Sequence, residues 1–306
     1  MKAIRYHAFG GPEVLQLEEA PIPEPGPGEV QVKVAGYGVN PVDWKIMSGH
    51  FMPEHIQFPA PLGFELSGTI TKLGEGVTGF EVGDHVFGET RTYGAACEYS
   101  CLPVHAMAKA PASLDLQDAA GLVVAGMTAW QALFDHGGLE AGQRVLIHAA
   151  AGGVGSMAVQ LAKWKGAHVI ATGGPDNAGF VSELGADEYI DYTKTKFEDV
   201  VQDVDLVLDT LGGETAEKSR KCLKAGGILV SVVGPPDVAA FEAEGKRATM
   251  FGMQPQVAQL EKLRDLIEDN RLNLVVSTEL PLERTAEAIA ESIKGHARGK
   301  IIVKVS

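Results

Sequence analysis

Arg144-Val145-Leu146-Ile147-His148, running into Ala149-Ala150-Ala151-Gly152-Gly153-Val154-Gly155, is the stretch on which the fold turns. The short apolar run reads as a buried strand. Helical spacing follows at Val154, Met157, Ala158, Leu161 and Ala162, so strand passes into helix across the glycines. That is the setting of the dinucleotide fingerprint G-x-G-x-x-G, with Ala150 in place of the first glycine. Gly152 lets the backbone approach a diphosphate, and Gly155 lets the helix pack closely on the strand. The helix start at Gly153 and Val154 adds free amides and the positive end of the helix dipole. A tight turn without a ligand uses the same glycines. The strand before, the helix after and a second strand at His168-Val169-Ile170-Ala171 favour the dinucleotide.

Cofactor choice depends on the end of that second strand. An NAD site places Asp or Glu there, about 20 residues past the fingerprint, against the ribose 2′-hydroxyl. Here the strand ends in Thr172-Gly173-Gly174. Without a carboxylate, a 2′-phosphate meets no repulsion, which favours NADPH over NADH. No Arg or Lys stands there either, and Asp176 is near enough to serve NAD. Asn177 and Tyr192 can donate hydrogen bonds to the phosphate. Leu211 and Val233 follow later strands, where ligands sit beyond the carboxyl ends. Gly173→Asp is the substitution this reading suggests for shifting preference towards NADH.

Outward from the fingerprint, Tyr189-Ile190, Asp205 to Asp209 and Gly227 to Ser231 continue the strand series. Their runs are continuously apolar, as in parallel strands covered on both faces, so the middle of the chain is predicted to be a Rossmann-type doubly wound α/β sheet. The first third differs. Val30 to Val34 and Gly68 to Leu73 alternate in polarity, and Pro and Gly interrupt repeatedly, which predicts an irregular β domain. One helical stretch is expected from about 116 to 137 and another from 257 to 269. The tail, with strands at 274–276 and 300–305 around a helix near 282–293, is expected to rejoin the first domain. The division is then 1–122, completed by 272–306, with the dinucleotide-binding domain at 123–271.

Composition narrows the function classes. The 306 residues carry a formal charge of −14, which argues against nucleic acid and against anionic membrane surfaces, both of which recruit clustered Lys and Arg. No apolar run reaches the roughly 18 residues of a transmembrane helix. Three cysteines, Cys97, Cys101 and Cys222, suit a reducing compartment, so the expected location is cytoplasmic.

Further segments carry a resemblance. Gly38-Val39-Asn40-Pro41-Val42-Asp43, Gly63-Phe64-Glu65-Leu66-Ser67-Gly68, Gly79 to Val86, Ala125-Gly126-Met127-Thr128-Ala129-Trp130, Asp209-Thr210-Leu211-Gly212-Gly213 and Gly295 to Lys300 run in order through nearly the whole chain. Together they resemble the zinc-independent quinone oxidoreductase and enone reductase branch of the medium-chain dehydrogenase/reductase superfamily. The resemblance implies a GroES-like β domain beside the Rossmann domain, an active cleft between them and a homodimer joined near Ala248 to Phe251. It also implies an NADPH-dependent oxidoreductase acting on a small apolar carbonyl compound or quinone.

Zinc dehydrogenases of that superfamily hold their metal through Cys, His and Cys. The matching places here are Asn40, Phe64 and the apolar region at Val124-Ala125, which offer neither thiolate nor imidazole. Without a metal, reducing a conjugated double bond is less demanding than oxidising an alcohol, because a few hydrogen bonds can stabilise the enolate. Asn40 and Lys45 are the catalytic candidates. Asn40 offers an amide at the vacated metal position, or else caps the turn before Pro41. Lys45 can aim its ammonium at the enolate, or else be a solvated surface lysine. Glu65 matches a superfamily acid and has a structural reading. Thr128 is expected on the nicotinamide side, and Lys300 or Arg298 to meet the cofactor from the returning tail or to lie on the surface. Two alternatives stand: a cofactor-binding structural or regulatory protein with little turnover, and an alcohol dehydrogenase-like enzyme.

Overall fold

The computed structural model describes residues 1–90 and 93–305. Its contacts divide it into two compact units: Met1–Val124 with Pro255–Asn270 and Leu274–Ser306, and Ala125–Gln254 with Arg271–Asn273.

The first unit is built on antiparallel strands. β1 (Lys2–Tyr6) and β2 (Leu15–Glu19) pair, and β3 (Glu29–Val39) runs into a short helix, α1 (Pro41–Met47). β4 (Ala60–Pro61), β5 (Glu65–Leu73), β6 (His85–Glu89), β7 (Tyr99–Pro103) and β8 (Met107–Lys109) follow. Pro41 at the first helical position suits α1, since its missing N–H is one that a helix start leaves unbonded. Alternation sends Val30, Val32 and Val34 of β3 and Leu66 and Ile70 of β5 into one core with Tyr6, Tyr37 and Leu102. Each such aliphatic side chain contributes about 1.5–3 kcal/mol on full burial.

The second unit opens within α2 (Val123–Trp130), at Ala125. The helix expected over 116–137 is three windings: a tight turn at Asp118–Leu122, α2, and a wider π-type turn at Gln131–His136. In the wide turn Gln131 is drawn to the backbone of Gln254, donating to its carbonyl at 2.7 Å and accepting from its amide at 3.1 Å. Then come β9 (Arg144–Ile147), α3 (Gly153–Lys165), β10 (His168–Gly173), α4 (Ala178–Glu183), β11 (Glu188–Asp191), α5 (Phe197–Val200), β12 (Val204–Asp209), α6 (Gly213–Ser219), β13 (Leu223–Ser231), α7 (Val238–Glu242) and β14 (Arg247–Met250). These six strands form one parallel sheet in the order β11-β10-β9-β12-β13-β14. This is the Rossmann order, which reverses direction beside β9 and leaves the fingerprint turn at the switch point.

The chain then returns to the first unit through α8 (Val257–Glu268), β15 (Val276–Pro281), α9 (Thr285–Lys294) and β16 (Lys300–Lys304). β16 lies antiparallel to β3, extending a sheet that runs β15-β16-β3-β5-β6-β8, with β7 also on β3. The sequence reading places α8 in the Rossmann domain, whereas its contacts group it with the first unit. It buries Leu260, Leu263, Leu266 and Ile267, and its Glu268 accepts from the amides of Ala112 and Ser113. No helix among the described residues is long and apolar enough to cross a membrane.

Candidate active site

The residues expected at the site gather in two constructions, one in each unit. In the second, β9 ends at Ile147, and Ala149 turns the backbone into the left-handed region at φ +47°. Gly152 caps α3 without any side-chain capping bond. Ser156 makes the first i→i−4 bond, to Gly152, at 2.9 Å, so the amides of Gly153, Val154 and Gly155 precede the helical ladder. A side chain at Gly152 would meet nothing nearer than the Ala149 carbonyl at 3.4 Å, so the turn is open there. Gly155 is the opposite case: a Cβ would fall 2.7 Å from Ala150 Cα. The open glycine, the uncapped amides and the thirteen-residue α3 dipole suit a diphosphate.

His148 braces this turn from beneath. Ser219 spends its hydroxyl proton on Thr215, at 2.7 Å, so it accepts from His148 Nε2 at 2.8 Å. Nδ1 therefore accepts from the Thr172 hydroxyl at 2.9 Å. Burial pushes His148 down to about 4, against an upward pull from Asp209. Asp209 in turn accepts from the amides of Leu211 and Gly212 at 3.0 and 2.8 Å and from Ser231 at 2.8 Å, shaping the turn after β12.

Several residues expected at the cofactor gather at the carboxyl ends of the strands. Asn177 and Tyr192 flank Gly174: a Cβ there would lie 3.7 Å from Tyr192 Oη and 4.0 Å from Asn177 Nδ2. Val233 stands 3.2 Å from where a Cβ on Gly212 would be, with exposed Leu211 beside it. Thr128 is buried in α2. Thr172 departs from expectation, because its side chain points inward to His148 and its ring nitrogen rather than out to a ribose. Gly173 is buried against Tyr189, whose ring carbon Cζ lies 3.2 Å from an added Cβ and whose hydroxyl bonds the Gly174 carbonyl.

In the first unit Lys300, Asn40 and Glu65 form a buried cluster. The Lys300 ammonium donates to Val39 O at 2.8 Å, Asn40 Oδ1 at 2.7 Å and Glu65 Oε1 at 2.8 Å. That uses all three of its protons, and the side chain is 3% exposed. Lys300, expected to meet the cofactor, instead turns its ammonium inward onto Val39, Asn40 and Glu65. Asn40 is corrected likewise as a substrate donor, because its Nδ2 gives one hydrogen to Gly38 O at 3.1 Å and the other to Glu65 at 2.8 Å. Gly38 makes the cluster possible. It lies opposite Glu65 in the sheet, and a Cβ on it would sit 2.8 Å from the Glu65 carboxyl carbon.

Asp43 secures the start of α1 by accepting from the Asn40 backbone N–H at 2.8 Å and from the Tyr37 hydroxyl at 2.6 Å, and burial pushes it up to about 7. Glu89, directly opposite Glu65 on β6, is also pushed up to about 7, by burial and then by the Glu65 charge. Sequence reasoning missed Glu89, since only sheet register brings it to Glu65. Lys45 lies half-buried on α1, with its ammonium 5.7 Å from the centre of the Trp44 ring. Phe64, one residue before β5, directs its ring to Tyr93, edge to face, with centroids 4.6 Å apart.

A GroES-like β unit and a Rossmann sheet with a glycine-lined, uncapped turn define a two-domain dehydrogenase/reductase. Residues 26–112 match the family described as alcohol dehydrogenase GroES-like domain, and residues 184–303 the family described as zinc-binding dehydrogenase. A chloroplast envelope quinone oxidoreductase homolog of Arabidopsis thaliana is 34% identical, over 99% of this chain and 98% of that protein. A chloroplastic NADPH-dependent alkenal/one oxidoreductase of the same plant is 32% identical, over 99% and 79%. The structure of Escherichia coli quinone oxidoreductase complexed with NADPH superposes with a TM-score of 0.92 at 28% identity, covering 99% of this chain and all of that one. The chain belongs to the quinone and enone oxidoreductase branch of the medium-chain dehydrogenase/reductase superfamily.

The zinc named in one family description does not fit these residues. Asn40 and Phe64 supply no thiolate or imidazole, and an ammonium group already lies against Asn40 and Glu65. Among the described residues no three His, Cys, Asp or Glu side chains gather as a metal-binding group.

Proposed function

We propose that this protein is an NADPH-dependent oxidoreductase that reduces quinones or the C=C bond of α,β-unsaturated carbonyl compounds without catalytic zinc. The observation that carries this reading is the pairing of an open, uncapped α3 turn with a second-strand end free of carboxylate at Gly174. The activities for which the quinone and alkenal/one oxidoreductase relatives are named support it. Bound at this turn, the reduced nicotinamide supplies the hydride.

The chain supplies position and charge. Gly153, Val154 and Gly155 hold the diphosphate on their amides, with Gly152 giving access. Gly174, Asn177 and Tyr192 accommodate the 2′-phosphate, and Leu211 and Val233 border the cofactor where β12 and β13 end. Thr128 faces the nicotinamide. Lys45 offers its ammonium to the oxygen on which negative charge builds. Asn40 acts indirectly, fixing the start of the helix that carries Lys45. We further propose a cytoplasmic homodimer, joined through the edge strand β14.

Steady-state consumption of NADPH with a panel of quinones and enones tests the reading. Turnover that survives a chelator supports it. Tight NADPH binding without turnover would instead mark a binding protein, and activity lost to a chelator and restored by zinc a metal-dependent dehydrogenase. Lys45→Ala should lower kcat by roughly a hundredfold while leaving NADPH affinity within about twofold; normal turnover would remove Lys45 from the chemistry.

A further inference from the structure

Five described residues other than glycine hold a left-handed φ: Met52, Tyr93, Ala149, Asp203 and Asn270. Asp and Asn adopt this region with little penalty, and Ala149 turns the backbone into the fingerprint. Tyr93, at φ +60°, is the bulkiest of the five and closes no cofactor turn. A bulky residue held in this conformation points to a function for its side chain.

What the strained backbone holds is a ring. Tyr93 meets Phe64 edge to face, at 76° between planes. The backbone beside each ring is bonded: Phe64 O accepts from Thr90 N at 2.6 Å, and next to Tyr93, Gly94 N and Ala95 N donate to Gly63 O at 3.0 and 3.3 Å. Yet both side chains are only half-buried, so aromatic surface stays open. The Tyr93 hydroxyl makes no hydrogen bond among the described residues, and burial pushes its pKa up, so it remains a proton donor. Nearby, Phe58 meets Tyr6 and Phe9 edge-on at 5.8 and 5.0 Å, with Phe58 and Phe9 still exposed. Tyr93 adjoins this group, since it helps burial push the Tyr6 hydroxyl up to about 12.

We propose that Tyr93, set by Phe64, is a specificity-determining residue that receives the ring of a planar aromatic substrate and donates its hydroxyl to a ring carbonyl. An open-chain enone has no ring face to present and gains little from this wall. The inference rests on the reductase reading above and adds the side chains that separate ring from open-chain substrates.

The test uses the full-length protein with 1,4-naphthoquinone and 3-penten-2-one as paired substrates. Tyr93→Leu and Phe64→Leu should raise KM for the naphthoquinone roughly three- to tenfold, the worth of one aromatic pair. KM for the open-chain enone and for NADPH should stay within about twofold. Tyr93→Phe keeps the ring and should lose less than Tyr93→Leu, which guards against a mere folding defect. Calorimetric binding of the naphthoquinone to cofactor-free protein should follow the same order. Equal effects on both substrates, or none on either, would overturn the role of Tyr93 alone. Wild-type protein that reduces neither compound nor any other member of the panel would overturn the reductase reading, and this inference with it.

Discussion

Gly173 and Gly174 are adjacent, yet only one has room for a side chain. A Cβ on Gly173 would press on the Tyr189 ring, whereas one on Gly174 meets nothing nearer than 3.7 Å. The carboxylate that should swing cofactor preference therefore belongs at Gly174. Gly174→Asp is expected to weaken NADPH by about tenfold or more relative to NADH, through repulsion of the 2′-phosphate. Gly173→Asp should instead lower Tm and impair both cofactors together. An unchanged ratio of catalytic efficiencies in Gly174→Asp would show that the ribose lies elsewhere. The missing carboxylate was legible in the sequence. The choice between the glycines was not, because Tyr189 comes from the neighbouring strand β11.

At the level of elements, α3 joins the fingerprint to the sheet through Gly155. Replacing a helical glycine with alanine ordinarily gains up to about 1 kcal/mol in propensity. Here the added methyl would run into the Ala149 carbonyl and Ala150 Cα, backbone atoms that cannot swing aside. Overpacking of this kind costs about 1–3 kcal/mol, so the steric term wins. Gly155→Ala should lower Tm by a few degrees and raise the NADPH Kd at least tenfold, as α3 and its leading amides are displaced. A higher Tm with unaltered Kd would refute that account. The motif disclosed this contact because a strand–turn–helix unit is local. The neighbours of α8 escaped the same reading, because an amphipathic helix shows which face it buries but not which unit receives it.

Across the whole molecule, buried titratable groups set opposite pH trends. The native state keeps His148 neutral down to about 4, while the unfolded chain takes up its proton near 6.5. Its contribution is therefore complete above pH 6.5 and is lost as pH falls towards 4, reaching roughly 3 kcal/mol. Asp43 and Glu89 run the other way. Folded, they hold protons up to about 7, so their contribution is complete below the unfolded carboxyl range and lost as pH rises through 7. Relative to wild type, the Tm of His148→Gln should improve as pH drops from 7 to 5, and that of Glu89→Gln as pH climbs from 5 to 8. Differences that stay constant with pH would contradict these assignments. Local pattern alone determined the Rossmann sheet, its glycine turn and the absence of a carboxylate at Thr172-Gly173-Gly174, because strand period, helix period and turn chemistry are written in neighbouring residues. Only the tertiary structure decided what Asn40, Lys300, Glu89 and Tyr93 touch. Lys300 meets Asn40 across 260 positions of chain, and Glu89 faces Glu65 through strand register. Such partners are fixed by how the sheet closes, and that is a property of the whole core rather than of any segment.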